Sequence, residues 1–208
     1  MSIRNILLVE SPNDQHVCYA LFVHYNVPMT FEVRAKGNVS NVLKTLTSEL
    51  KKLDDDRLER IGILVDADTD LRKRWAELMH ILQRAGYENV PHHPDAEGTI
   101  IAFANRPIVG IWLMPDNTNP GELEDFIATL VPHDDGLWFH ADQTLRTLIE
   151  RRFRDEDTIK AHVHTWLAWQ SEPGRPMGYA IGRGTLRADA PLAARLIVWI
   201  NRLFVTLR

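Results

Sequence analysis

Two short acidic motifs, each closing an apolar run, hold the residues best suited to chemistry in this chain. The first is Ile6-Leu7-Leu8-Val9-Glu10, followed by Ser11-Pro12-Asn13-Asp14, and the second is Ile61-Gly62-Ile63-Leu64-Val65-Asp66-Ala67-Asp68. A buried strand ending in a carboxylate delivers that group to the carboxyl edge of a sheet, where open α/β folds place their ligands. Two such strands side by side would gather Glu10, Asp14, Asp66 and Asp68. Glu10 and Asp14 are four residues apart, so a strand-end carboxylate faces one on the first helical turn. Asp66 and Asp68 share a face if the backbone stays extended past the strand. Four carboxylates in one crevice repel one another and stay ionised only when cations neutralise them. Hard oxygen donors with no cysteine cluster nearby favour Mg²⁺ or Mn²⁺ over Zn²⁺. Part of the second motif also has a structural reading: Thr69 or Asp70 can cap a helix starting at Leu71, which leaves Asp66 unexplained.

The elements that must hold these residues alternate in type. Over 14–25, Val17, Leu21, Phe22 and Tyr25 recur at helical spacing, with Asn13 as N-cap behind Pro12. A short strand over 31–34 closes at Gly37-Asn38. Val39, Val42, Leu43, Leu46, Leu50 and Leu53 then predict an amphipathic helix capped by Asn38. The acidic run Asp54-Asp55-Asp56 reads as a solvated loop, followed by the second acidic strand and a helix over 71–85 stopped at Gly86. This order predicts a mostly parallel α/β sheet covered by helices. Two apolar runs, 99–103 and 109–114, flank Ala104-Asn105-Arg106-Pro107 as a hairpin insertion. Beyond Gly121 the pattern is helical, over 123–130, 142–153, 158–169 and 190–207. The expected organisation is an α/β domain over 1–132 and a helical extension over 133–208 packed on it.

Composition narrows the function classes. With 208 residues, of which 45% are hydrophobic and 25% charged, the chain can bury a sizeable core. Its net charge is −4 and no basic block advertises nucleic acid, so such contact needs a local patch or a partner. The single cysteine, Cys18, forms no intramolecular disulfide and fits a reducing compartment. No signal peptide and no apolar run of membrane-spanning length are visible, so the expectation is a cytoplasmic protein with no membrane partner. The oligomeric state is open, a homo-oligomer included.

A strand ending in Glu followed by a later strand ending in Asp-x-Asp resembles the Toprim domain of topoisomerases, DnaG-type primases and OLD-family nucleases, and residues 5–70 carry that likeness. Asp14 resembles the second acidic position of OLD-type nucleases. The segments Trp112-Leu113-Met114-Pro115-Asp116-Asn117 and Gly121-Glu122-Leu123-Glu124-Asp125-Phe126 resemble uncharacterised bacterial Toprim-related proteins, some associated with ATPase partners. Ser11 departs from the pattern, because Toprim sequences commonly carry glycine after the Glu. The resemblance implies that Glu124 is a further metal ligand. It also implies that Lys160, following the acidic motifs as a lysine does in OLD-type nucleases, could neutralise the phosphorane charge; its structural alternative is a solvated lysine at a helix start.

Several other polar residues read as structural. His162 and His164, two apart on a helix, diverge by roughly 200° and cannot chelate one ion together. His92-His93 reads as surface, and Trp166, Trp169 and Trp199 as core or interface aromatics. Arg151, Arg152 and Arg154 run into Asp155, Glu156 and Asp157 as a solvated mixed face. The resulting expectation is a Mg²⁺- or Mn²⁺-dependent phosphoryl-transfer protein, a nuclease acting on nucleic acid, weak alone and working with an ATPase partner. Glu10, Asp14, Asp66, Asp68 and Glu124 would be its metal ligands, with Glu10 and Lys160 in catalysis. Two alternatives remain: a haloacid-dehalogenase-like phosphatase using Asp66 and Asp68, and a non-catalytic Toprim-like regulatory or interaction module. The phosphatase family normally has Thr or Val where Asp70 stands.

Overall fold

The computed structural model describes residues 5–52 and 58–205, so the Asp54-Asp55-Asp56 run lies outside the described residues. Five strands form one sheet: β1 (Asn5–Val9), β2 (Glu32–Ala35), β3 (Arg60–Asp66), β4 (Thr99–Ile101) and β5 (Ile108–Met114), in the order β2-β1-β3-β5-β4. All pairings are parallel except β4 with β5, which is the antiparallel hairpin expected from the sequence. The register sets Val9 beside Leu64 and Asp66 beside Met114, so the first two acidic motifs end on neighbouring strands at one edge.

The inner strands β1, β3 and β5 are largely apolar, as suits a sheet covered on both faces, whereas the edge strand β2 carries Glu32 and Arg34. Alternation sends Leu7, Val9, Leu64, Trp112 and Met114 to one face. That face packs against α1 (Pro12–His24), α4 (Leu123–Ala128), α6 (Thr158–Ala168), α7 (Met177–Gly182) and α8 (Pro191–Phe204). Ile6, Leu8, Ile61, Ile63, Val65 and Ile111 point the other way, against α2 (Val39–Glu49) and α3 (Leu71–Arg84). The helix α8 lies close on the strands at two glycines: a Cβ on Gly62 would stand 2.7 Å from Leu7 and 2.9 Å from Phe204, and one on Gly110 2.4 Å from Leu203.

Caps explain most helix starts. Asn38 Oδ1 accepts from Asn41 N, and Asp70 Oδ1 from Lys73 N, both at 3.0 Å as expected. The cap of α1 is Ser11, not Asn13. Pro12 already occupies the first helical position, where its missing N–H costs nothing, and Ser11 Oγ accepts from Asn13 N and Asp14 N. The helix expected over 142–153 is instead α5 (Gly136–Arg146), because Asp135 caps it through Trp138 N at 2.9 Å. Leu148 and Ile149 beyond its end are exposed. Sequence periodicity did not mark α7, a short helix within a Pro- and Gly-rich stretch. Gly178 lets it approach α1, since a Cβ there would come 2.4 Å from the His16 carbonyl oxygen.

Candidate functional site

The site is built on the sheet edge. Glu10 follows directly on β1, and its Oε1 accepts from the backbone N of Asp66 at 2.9 Å, tying the two strand ends together. Asp14 sits on the first turn of α1, where it closes a capping box: Ser11 N donates to its Oδ2 at 2.8 Å. That box consumes one oxygen and fixes the carboxyl group. The other, Oδ1, is buried and unpartnered among the described residues, on a residue only 3% exposed. Asp66 Oδ1 is buried and unpartnered as well.

The loop after β3 turns sharply. Asp68 has φ +52°, so the backbone is not extended there, and its carboxylate pairs with Arg74 of α3 while half exposed. Its backbone forms a two-bond antiparallel bridge with Gly121, N to O at 3.0 Å and 2.7 Å. Gly121 has φ +145°, and a Cβ there would stand 2.7 Å from Asp125 Oδ2, the oxygen that receives Glu122 N at 2.8 Å. This bridge anchors the start of α4 and with it Glu122 and the buried Glu124.

Helix α6 supplies the partners of these two glutamates. Lys160 Nζ pairs with Glu122, and His164 Nε2 lies 3.5 Å from Glu124 Oε1. His162 turns the other way, as the helical angle requires, stacking on Trp138 at 3.6 Å and bonding its carbonyl oxygen. Arg74 was not singled out from the sequence, while Glu122 stood only within a quoted motif and His164 was read as structural. The signal for the last two was spacing: Lys160 and His164 share a helix face four apart, opposite the Glu122-x-Glu124 pair.

Electrostatics marks the same edge. Burial raises the Asp66 carboxyl to about 9, and the charges of Asp14, Glu10, Glu122 and Glu124 add to it. Burial likewise raises Glu10 to about 6, partly offset by the Asp66 amide, and pushes Asp14 up. Burial also acts upward on Glu124, but the His164 hydrogen bond and the Lys160 charge outweigh it and hold Glu124 low. Among the described residues, no three carboxylate, imidazole or thiolate side chains are grouped to hold a metal ion. The donor chemistry nevertheless fits a hard divalent cation: oxygen donors from four elements, two of them buried without a hydrogen bond, and a carboxyl, Asp66, raised by burial and by the neighbouring carboxylate charges that a cation would offset. An open groove of about 560 Å³ runs beside the edge, lined by Asp68, Glu122, Asp125 and Glu156 against one cation, Arg154.

The arrangement is Toprim-like, with parallel neighbours β1 and β3 ending in Glu10 and in Asp66-x-Asp68. Residues 4–205 match the family described as Protein of unknown function (DUF3226). The chain belongs to this family. No curated protein matches the DUF3226 chain. Solved structures similar to it include the C-terminal region of the Burkholderia pseudomallei OLD protein, at 11% identity and a TM-score of 0.48, covering 96% of this chain and 97% of that one. The C-terminal region of the Xanthomonas campestris pv. campestris OLD protein is similar at 17% identity and a TM-score of 0.42, covering 96% and 94%. Among the described residues of the DUF3226 chain, no helix is long and apolar enough to cross a membrane.

Proposed function

We propose that this chain is a Mg²⁺- or Mn²⁺-dependent phosphoryl-transfer protein, a nuclease whose substrate is a nucleic-acid phosphodiester. The observation that carries the reading is the pair of buried, unpartnered oxygens, Asp14 Oδ1 and Asp66 Oδ1, in an edge whose charges repel. Glu10, Asp14, Asp66, Asp68 and Glu124 would hold the cations. A divalent cation there supplies charge neutralisation and Lewis-acid activation for an in-line displacement. The protein residues do the rest. The Asp66 amide orients Glu10, the Ser11 box orients Asp14, and His164 keeps Glu124 ionised. Lys160, drawn to the edge by Glu122, opposes the charge that grows on the phosphorane. The phosphatase alternative would use Asp68 for proton transfer, whereas Asp68 is engaged as an ion pair with Arg74.

The acidic groove repels a polyanion until cations fill it, and non-specific DNA affinity depends largely on Lys and Arg neutralising phosphates. We therefore assign the grip on substrate to a partner, an ATPase in this reading, and expect weak cleavage by the lone chain. Cleavage of plasmid and single-stranded DNA with Mn²⁺ or Mg²⁺, alone and with the product of a neighbouring ATPase gene, tests this. Metal-dependent nicking that disappears in Asp66→Ala supports the nuclease reading. Phosphate release from small phosphomonoesters without nicking overturns it, and robust cleavage by the lone chain removes the partner requirement.

A further inference from the structure

Arg74 lies in the first turn of α3 with a side chain only 11% exposed, and all three of its guanidinium nitrogens are engaged. Nε donates to the Asp66 carbonyl oxygen at 3.1 Å, and Nη1 to Glu77 Oε2 at 2.7 Å. The remaining nitrogen, Nη2, holds Asp68 Oδ2. The first two contacts fix the guanidinium against the end of β3, so it cannot follow Asp68 if that carboxylate moves. The backbone of Asp68 is fixed too, by its bridge to Gly121. What stays free is rotation of the Asp68 side chain, half exposed at the rim of the groove and close enough to Glu10 for their charges to repel.

We propose that Arg74 is a positioning residue: it serves as an internal counter-ion for Asp68, and a divalent cation at the acidic edge gains Asp68 as a ligand only by taking it from the guanidinium. This rests on the proposed function and deepens it. A planar, permanently charged fork suits the task, because it balances the carboxylate at any pH yet gives it up to a cation of higher charge. Part of the cation's binding energy is then spent on separating an ion pair. Since Asp68 is half exposed, that cost is modest, and removing it should tighten cation binding by about three- to tenfold.

Calorimetric Mn²⁺ titration of the full chain decides the matter, using wild type, Arg74→Gln, Arg74→Lys, Asp68→Asn and the double variant Asp68→Asn/Arg74→Gln. Arg74→Gln is expected to bind more tightly than wild type by that factor. Arg74→Lys, which keeps the charge but loses the three-way fork, should shift the same way by less; it carries the test if melting in chelator finds Arg74→Gln unfolded. In the Asp68→Asn background the gain should vanish, because the coupling runs through Asp68. Unchanged or weaker binding by folded Arg74 variants overturns the inference, as does a gain that persists without the Asp68 carboxylate. If the wild type binds Mn²⁺ and the Arg74 variants show no gain, this inference alone falls. If no chain in the series binds, it falls together with the proposed function.

Discussion

The backbone amide of Asp66 donates to Glu10 Oε1 at 2.9 Å, while the Asp66 side chain, on the same residue, repels Glu10. One residue thus both stabilises and opposes the neighbouring charge. Burial outweighs the stabilising amide and, with the surrounding charges, raises Asp66 to about 9 and Glu10 to about 6. Metal-free protein should therefore lose stability as pH rises. The folded state binds more protons than the unfolded chain between the ordinary carboxylate range and about pH 9, so the slope of stability with pH is negative there. Thermal melts in chelator at pH 5.5 and pH 8.5 check this, and the higher pH should melt lower. Asp66→Asn, which cannot ionise, should flatten most of the difference and be neutral or stabilising at pH 8.5. A loss of roughly 1–3 kcal/mol at both pH values would mark Asp66 as a hydrogen-bonded structural residue instead.

Cation binding should show the opposite trend. Asp66 must lose its proton to become a ligand, so Mn²⁺ affinity should strengthen from pH 6 to pH 9 with proton release on binding. Titration in buffers of different ionisation enthalpy measures the released protons, and Asp66→Ala should abolish binding.

Gly121→Ala tests the bridge that joins the two halves of the edge. Its φ of +145° and the 2.7 Å approach to Asp125 Oδ2 leave no room for a Cβ, so the substitution should cost about 1–3 kcal/mol. It should also weaken Mn²⁺ binding, because Glu124 loses its anchor. Normal affinity in a destabilised variant would separate the bridge from the site.

Lys160→Ala should lower cleavage by about 10²–10³-fold while leaving Mn²⁺ affinity within about threefold, since the role proposed for it falls on the transition state. Equal losses in both would make Lys160 a partner of Glu122 and nothing more.

The strand ends were legible in the sequence because a carboxylate closing an apolar run is a local signal, and Glu10 and Asp66 stand on adjacent strands accordingly. Asn38 and Asp70 were legible for the same reason, as a cap needs only its own next turn. Ser11 escaped because Pro12 moves the helix start back by two residues, which the polar Asn13 concealed. The shifted start of α5 escaped because apolar residues beyond its end, Leu148 and Ile149, continue the pattern while facing solvent. His164 acquires meaning from Glu124, a partner far along the chain, and Arg74 from Asp68, six residues away but brought to it only by the sharp turn after β3. Asp68 itself was expected on an extended backbone, and the Gly121 bridge imposes a left-handed turn instead.

The acidic edge draws on residues scattered from Glu10 to His164, and this separation has a consequence during biosynthesis. At roughly 5–20 residues per second, Glu10 leaves the ribosome about 8 to 30 seconds before Lys160 and His164. In the last part of that interval the growing chain carries all of these carboxylates without Lys160, the partner of Glu122, and His164, the partner of Glu124. Helix α8, whose Leu203 and Phe204 seat on Gly110 and Gly62, arrives later still. The acidic edge is therefore complete only once α6 and α8 have been made, so its early carboxylates wait on the last helices of this stretch for their partners and packing.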